Sequence, residues 1–172
     1  MKLKAPLLIA AAIGLASCAA QPVQPNVAPA ANADVAAPKQ VYVIRHLQKA
    51  QGDDPPLTTE GAANAQRLAA FLAGKGIVAI FATPTRRTMQ TAAPLANRLG
   101  ISIRSYDPHD PDALVRAVAA VSGPVLVVGH SNTVPDLVDR LGGPAQPAMR
   151  DEDYGTLFVV GLDGSVETLQ VR

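Results

Sequence analysis

Two short apolar runs constrain this chain more than anything else in it. Val41-Tyr-Val-Ile44 and Val125-Leu-Val-Val-Gly129 consist of residues with high β-propensity, and each stops at a histidine: Arg45-His46 after the first, His130 after the second. They read as buried strands that hand over to loops at polar residues. In open α/β sheets ligands bind at that carboxyl edge.

The segments between and around these runs alternate in kind. From Thr58 to Ala73 the residues Ala65, Leu68, Ala69 and Leu72 keep helical spacing, with Thr58 or Thr59 placed to cap the helix. Ile77–Phe81 is a strand. Arg86–Leu99 is a helix with Thr88, Ala92, Leu95, Ala96 and Leu99 on its inner stripe and Gly100 as C-cap. A strand is expected at Ile101–Ser105, a helix at Pro111–Val121, and a short helix at Val134–Leu141. Tyr154–Gly161 and Ser165–Val171, joined through Asp163-Gly164, form a hairpin. Strands separated by helices predict a three-layer α/β/α sandwich with a mostly parallel sheet and an antiparallel hairpin at its C-terminal end.

The residues before this domain have another character. Met1-Lys-Leu-Lys4 is cationic, Pro6–Ala16 is apolar but shorter than the ~20 residues a membrane span needs, and Leu15-Ala-Ser-Cys18 closes the run. This pattern reads as a signal peptide over residues 1–18. Its end resembles the lipobox of bacterial lipoproteins, which implies lipidation of Cys18. With one cysteine in the chain no intramolecular disulfide is available, so the expectation of export rests on the signal alone. Residues 19–39 are rich in Ala, Pro, Gln and Asn and read as a tether, leaving one domain over 40–172. In a Gram-negative host, Ala19 after the lipidated position suggests the periplasmic side of the outer membrane. Membrane contact is then expected through the lipid on Cys18. The net charge is +1, the basic residues are scattered and aromatics make up 3% of the chain, so no nucleic-acid footprint is present.

Four polar clusters follow the four parallel strands: Arg45-His46, Thr83-Pro84-Thr85-Arg86-Arg87, Tyr106-Asp107, and His130-Ser131-Asn132. Parallel strands bring them to one edge. The resulting pocket holds two histidines, at least two arginines and an acid, a composition suited to phosphate chemistry. Arginine forks match phosphate oxygens in pairs, and a neutral imidazole can attack phosphorus.

These residues carry a resemblance. Arg45-His46-Leu47, Leu57-Thr58-Thr59-Glu60-Gly61, the run Thr83 to Ala92 with Arg87, Gln90 and Thr91, and Val128-Gly129-His130 are together similar to the histidine phosphatase superfamily, in its phosphoglycerate-mutase-like branch. The resemblance implies His46 as nucleophile, with Arg45, Arg87 and His130 holding the phosphoryl oxygens, and it implies no metal and no cofactor. Arg86 aligns one place early and is expected on the outer face. Thr83 stands where the family has Ser and keeps the hydroxyl. Thr83 and Ser131 are expected at the substrate, and Asn132 either lines the pocket with them or caps the helix that follows.

The resemblance breaks in places. Leu47 replaces a small residue and could crowd the pocket, and Gln48 replaces an acid of close relatives. No Asp follows His130. Asp107, His109 and Asp110 lie where a general acid is sought, and Asp107 is the first choice. The expected activity is hydrolysis of small phosphomonoesters or phosphohistidine through a covalent phosphohistidine on His46. One alternative is a phosphate-binding lipoprotein impaired at Leu47 and Gln48. Another is a metal-dependent hydrolase using His46, His109, His130 and Asp107. The acidic run Asp151-Glu152-Asp153 reads as a solvated turn.

Overall fold

A computed structural model describes residues 39–172. The signal, Cys18 and all of the tether but its last residue lie outside the described residues. Ten elements follow in chain order: β1 (Gln40–Arg45), α1 (Thr59–Leu72), β2 (Ala79–Ala82), α2 (Arg86–Leu99), β3 (Ile103–Ser105), α3 (Pro111–Ala119), β4 (Val125–Gly129), α4 (Val134–Arg140), β5 (Thr156–Gly161) and β6 (Val166–Gln170). They make one six-stranded sheet in the order β3-β2-β4-β1-β5-β6. β3, β2, β4 and β1 are parallel, while β5 runs antiparallel to β1 and β6 antiparallel to β5. The expected mixed α/β sheet with a C-terminal hairpin is what the chain forms.

Alternation along β1 builds both layers. Tyr42 and Ile44 join Leu68, Leu72, Ala92 and Leu95 of α1 and α2, whereas Val41 and Val43 join Leu114, Val118, Leu137 and Val138 of α3 and α4. Val43, Ile44, Leu126 and Val127 are all fully buried. Each such side chain contributes about 1.5–3 kcal/mol of transfer free energy, so the two central strands anchor the sheet from both faces.

Element ends differ from expectation where backbone groups are already committed. β3 starts at Ile103 rather than Ile101. Gly100 takes a left-handed conformation and the Ile101 N–H donates to the Ala96 carbonyl, closing α2 instead of extending the sheet. β2 starts at Ala79, because the Val78 N–H is taken by Pro124. α1 is capped as expected by Thr58, whose hydroxyl accepts from Gly61 N at 3.1 Å.

Gly61 has a second constraint. A Cβ built on it would collide with the Gln48 carbonyl, which also accepts the Thr58 N–H at 2.9 Å. The Leu-Thr-x-x-Gly spacing therefore lets the β1–α1 loop lie directly on the first turn of α1. Among the described residues no helix is long and apolar enough to cross a membrane.

Candidate active site

β1 and β4 are neighbours, in a register that places Arg45 opposite Gly129. The residues that follow, His46 and His130, therefore leave the sheet side by side. The His46 N–H continues the ladder to the Gly129 carbonyl at 2.9 Å, and the two imidazoles meet edge to face with centroids 5.5 Å apart. Packing is close at Gly129, where a Cβ would lie 3.1 Å from the Tyr106 hydroxyl and 3.0 Å from Thr133 Oγ1. A cavity of about 400 Å³ opens above this edge, and Arg45, His46, Arg87, His130, Ser131 and Asn132 all line it. Six of the expected site residues thus come together.

The ring of His46 is oriented by its own backbone. Its Nδ1–H donates to the Leu47 carbonyl at 2.9 Å, a tautomer assigned from the hydrogen-bond network, which leaves the lone pair on Nε2. Burial pushes its pKa down to about 4, and the charges of Arg45, His130 and Arg87 push the same way, against the pull of the Leu47 carbonyl. Burial is the larger cause. His130 is likewise pushed down to about 4, first by burial and then by Arg87 and Arg45. Both rings are neutral at pH 7.

The arginines are held from outside the cavity. Arg45 is buried, donates from Nη1 to the Arg150 carbonyl at 2.8 Å, and stacks its guanidinium 4.2 Å from the centroid of the Tyr154 ring. Arg87 pairs through Nη1 with Asp54 at 3.5 Å and donates from Nη2 to His130 Nδ1 at 3.4 Å. Neither Nε–H has a protein acceptor. Two guanidinium forks with spare donors at one cavity suit a tetrahedral oxyanion.

Several expectations are corrected. Thr83 does not line the cavity: it is fully buried, and its Oγ lies 2.8 Å from His130 Nε2. With Nδ1 accepting from Arg87, Nε2–H is the donor, so Thr83 fixes the tautomer of His130 rather than touching substrate. Asp107 is exposed and its carboxylate accepts from the His109 N–H at 2.8 Å. Asp110 caps α3, so of the three residues considered for the general acid only His109 reaches the cavity wall. Leu47 points into the core beside α1 and α2, fully buried, and Gln48 bonds Glu60 and Asn64; neither lines the cavity. Asp151 and Glu152 are exposed, as a solvated turn requires, but the turn also meets the site. Arg45 holds its backbone, and Asp151 faces the cavity. Arg86 is exposed as expected. Among the described residues no three His, Cys, Asp or Glu side chains gather as a metal site, so the ligand set of His46, His109, His130 and Asp107 is not assembled.

The sequence did not point to Tyr154, Asp54, Lys49 or Asp151. Tyr154 and Asp54 carry no motif spacing, and only the closed loops bring them to the arginines.

Comparison with known proteins agrees with this geometry. Residues 41–108 match the model of the histidine phosphatase superfamily (branch 1). Two uncharacterized proteins from strains of Mycobacterium tuberculosis, Rv0525 and MT0547, are each 39% identical over 86 residues, 45% of this chain. The chain spans 41% of the length of these curated relatives. Among solved structures, the mycobacterial glucosyl-3-phosphoglycerate phosphatase Rv2419c with inorganic phosphate superposes with a TM-score of 0.60 at 16% identity, covering 78% of this chain and 97% of that one. The protein histidine phosphatase SixA complexed with tungstate gives 0.58 at 22% identity, covering 76% and 94%. These two likenesses speak for the fold. The segment that matches the family model carries Arg45, His46 and Arg87, while His130 lies beyond it on a fold shared with these solved structures.

Proposed function

We propose that the domain hydrolyses phosphomonoesters, or phosphohistidine, through a covalent phosphohistidine on His46. The observation that carries this reading is the His46 ring. Its Nδ1–H is tied to Leu47, and the imidazole stands neutral in a cavity shared with Arg45, Arg87 and His130. In the first step Nε2 attacks phosphorus, the P–N bond forms and the P–O bond to the leaving group breaks. The arginines stabilise charge on the equatorial oxygens, and His130 holds the Arg87 fork through its Nδ1. In the second step water attacks phosphorus, the P–N bond breaks, and inorganic phosphate leaves with His46 neutral again. His109, on the cavity wall, takes the place of Asp107 as donor of the proton to the leaving oxygen and acceptor of the water proton.

The test is steady-state hydrolysis of p-nitrophenyl phosphate by the full chain and by His46→Ala, with and without EDTA, and an alkaline denaturing quench for a base-stable, acid-labile phosphoprotein. Turnover that survives EDTA and disappears with His46, with label on His46, supports the reading. Equal rates for the two proteins refute it and leave a pocket that binds phosphate without turnover.

We further propose export and lipid anchoring at Cys18, on the basis of the sequence signal alone. Labelling by a fatty-acid analogue that is lost in Cys18→Ala supports it, and labelling that persists refutes it.

A further inference from the structure

Building on that phosphatase reading, we infer that Asp54 is a positioning residue that sets the Arg87 fork for the phosphoryl group.

α2 begins badly by its own sequence. Its N-cap Thr85 makes no side-chain cap hydrogen bond, because the Thr85 hydroxyl is 2.8 Å from Thr88 Oγ1. Its first turn holds no acidic residue but carries Arg86 and Arg87 at the positive end of the helix dipole, where cations are disfavoured. The missing acceptor and the missing anion arrive from 32 residues away. Asp54 Oδ1 accepts the Arg86 N–H at 3.0 Å and pairs with Arg87 Nη1 at 3.5 Å.

Asp54 reaches there at a cost. Among the described residues it is the one non-glycine with positive φ, at 40°, a conformation that costs about 1 kcal/mol or more for a residue with a Cβ. Glycine would adopt this turn without strain, so an aspartate there is explained by its carboxylate. Fixing Nη1 on Asp54 turns Nη2 toward His130, at 3.4 Å, and leaves the Nε–H free of protein acceptors. The Arg87 side chain keeps 21% of its surface exposed, so without Asp54 it has room to swing into solvent. Asp54 has no part in the bond changes; it acts through Arg87.

The test compares Asp54→Asn and Asp54→Gly in the full chain, each alone and with Arg87→Met. Asn keeps an acceptor for the Arg86 N–H and tolerates the turn, but loses the charge; Gly relieves the turn and loses both contacts. Asp54→Asn is expected to lower kcat/KM for p-nitrophenyl phosphate about fivefold, the size of one half-exposed ion pair, with the melting temperature essentially unchanged. Asp54→Gly is expected to lose at least as much. In the Arg87→Met background both changes become silent.

A second readout needs no turnover. Inorganic phosphate, titrated by calorimetry into His46→Ala, is expected to bind about fivefold more weakly when Asp54→Asn is added. This separates the two ideas, because weakened phosphate binding on adding Asp54→Asn, when the chain with His46 intact shows no phosphatase activity, sinks the enzyme reading and keeps the role of Asp54. Unchanged phosphate affinity, an equal loss with Arg87 already removed, or a gain in activity from a carboxylate that competed with phosphate would each overturn the role of Asp54.

Discussion

Lowering the pH through the range in which a solvent-exposed histidine protonates is the perturbation that bears most directly on this site. His46 is 3% exposed and titrates near 4 instead of 6.5. At pH 5.5 an ordinary histidine would be about one-tenth neutral, whereas one titrating near 4 stays almost wholly neutral. The nucleophile therefore persists about tenfold more than an exposed imidazole would, and the acid limb of kcat/KM, corrected for ionisation of the substrate phosphate, falls below pH 5.

The same depression has a sign for stability. Because the folded pKa lies below the unfolded one, the unfolded chain binds the extra proton first. The contribution is complete above pH 6.5 and is lost as the pH falls toward 4. The gap is worth at most about 3 kcal/mol for His46, and water in the adjoining cavity reduces it to about 1–2 kcal/mol. Nuclear magnetic resonance of ¹⁵N-histidine-labelled protein, with His46 assigned by its loss in His46→Gln, reads the midpoint directly. A midpoint between 6 and 7 refutes the reasoning. Because burial outweighs the charges, Arg87→Met is expected to leave most of the depression in place; a return to the ordinary value would make the arginines the main cause.

Other outcomes follow from single contacts. Gly61→Ala drives a methyl group into the Gln48 carbonyl and should cost about 3 kcal/mol in urea unfolding. Gly74→Ala, with nothing within 4 Å, should be within about 0.5 kcal/mol of wild type. Thr83→Val removes the acceptor of His130 Nε2–H and should lower kcat/KM about tenfold, with Thr83→Ser restoring most of it. Leu47→Ala should destabilise the fold by about 2–5 kcal/mol without improving activity, since the side chain fills core and not cavity; a faster enzyme would show that it crowds the pocket. His109→Gln should hardly affect p-nitrophenyl phosphate yet slow an alkyl phosphate about 100-fold, and equal losses on both would rule out the proton-donor role.

The central strands and the helix stripes were legible because each is a local pattern. β4 and α2 fall on the residues read from the apolar run and from the 3.6-residue spacing. Leu47 shows where such reading stops. Alternation along β1 sends Tyr42 and Ile44 toward α1 and α2, and by parity would send Leu47 to the other face. The strand ends at Arg45, the chain turns, the Leu47 N–H binds Thr91 Oγ1 at 3.0 Å, and the side chain drops into the α1/α2 core. Asp107 fails for a similar reason. His109 lies two positions further on, and a turn closed by the Asp107 carboxylate decides which of the two faces the cavity. Side-chain direction in a loop is set by hydrogen bonds that no spacing rule encodes.

The stretch from Thr83 to Ala92 shows what a dense motif is for. Of its polar side chains, Arg87 and Thr85 line the cavity, Arg86 is exposed, and Thr83, Thr88, Gln90 and Thr91 hold neighbours in place. Thr83 fixes the tautomer of His130, and Thr88 donates to the carbonyl of Thr83 or Thr85, keeping the turn before the helix closed. Gln90 accepts the Leu57 N–H at 2.7 Å, and Thr91 accepts the Leu47 N–H while donating to the Arg87 carbonyl at 2.8 Å. The turn before α2 and the first two turns of the helix thus tie down the loop after β1, the entry to α1 and the imidazole after β4. The His46 carrier loop is fixed through Leu47, the very residue whose carbonyl orients the His46 ring. A site that relies on position and charge needs its groups held to within about half an ångström, and most of this motif does that holding rather than touching a ligand.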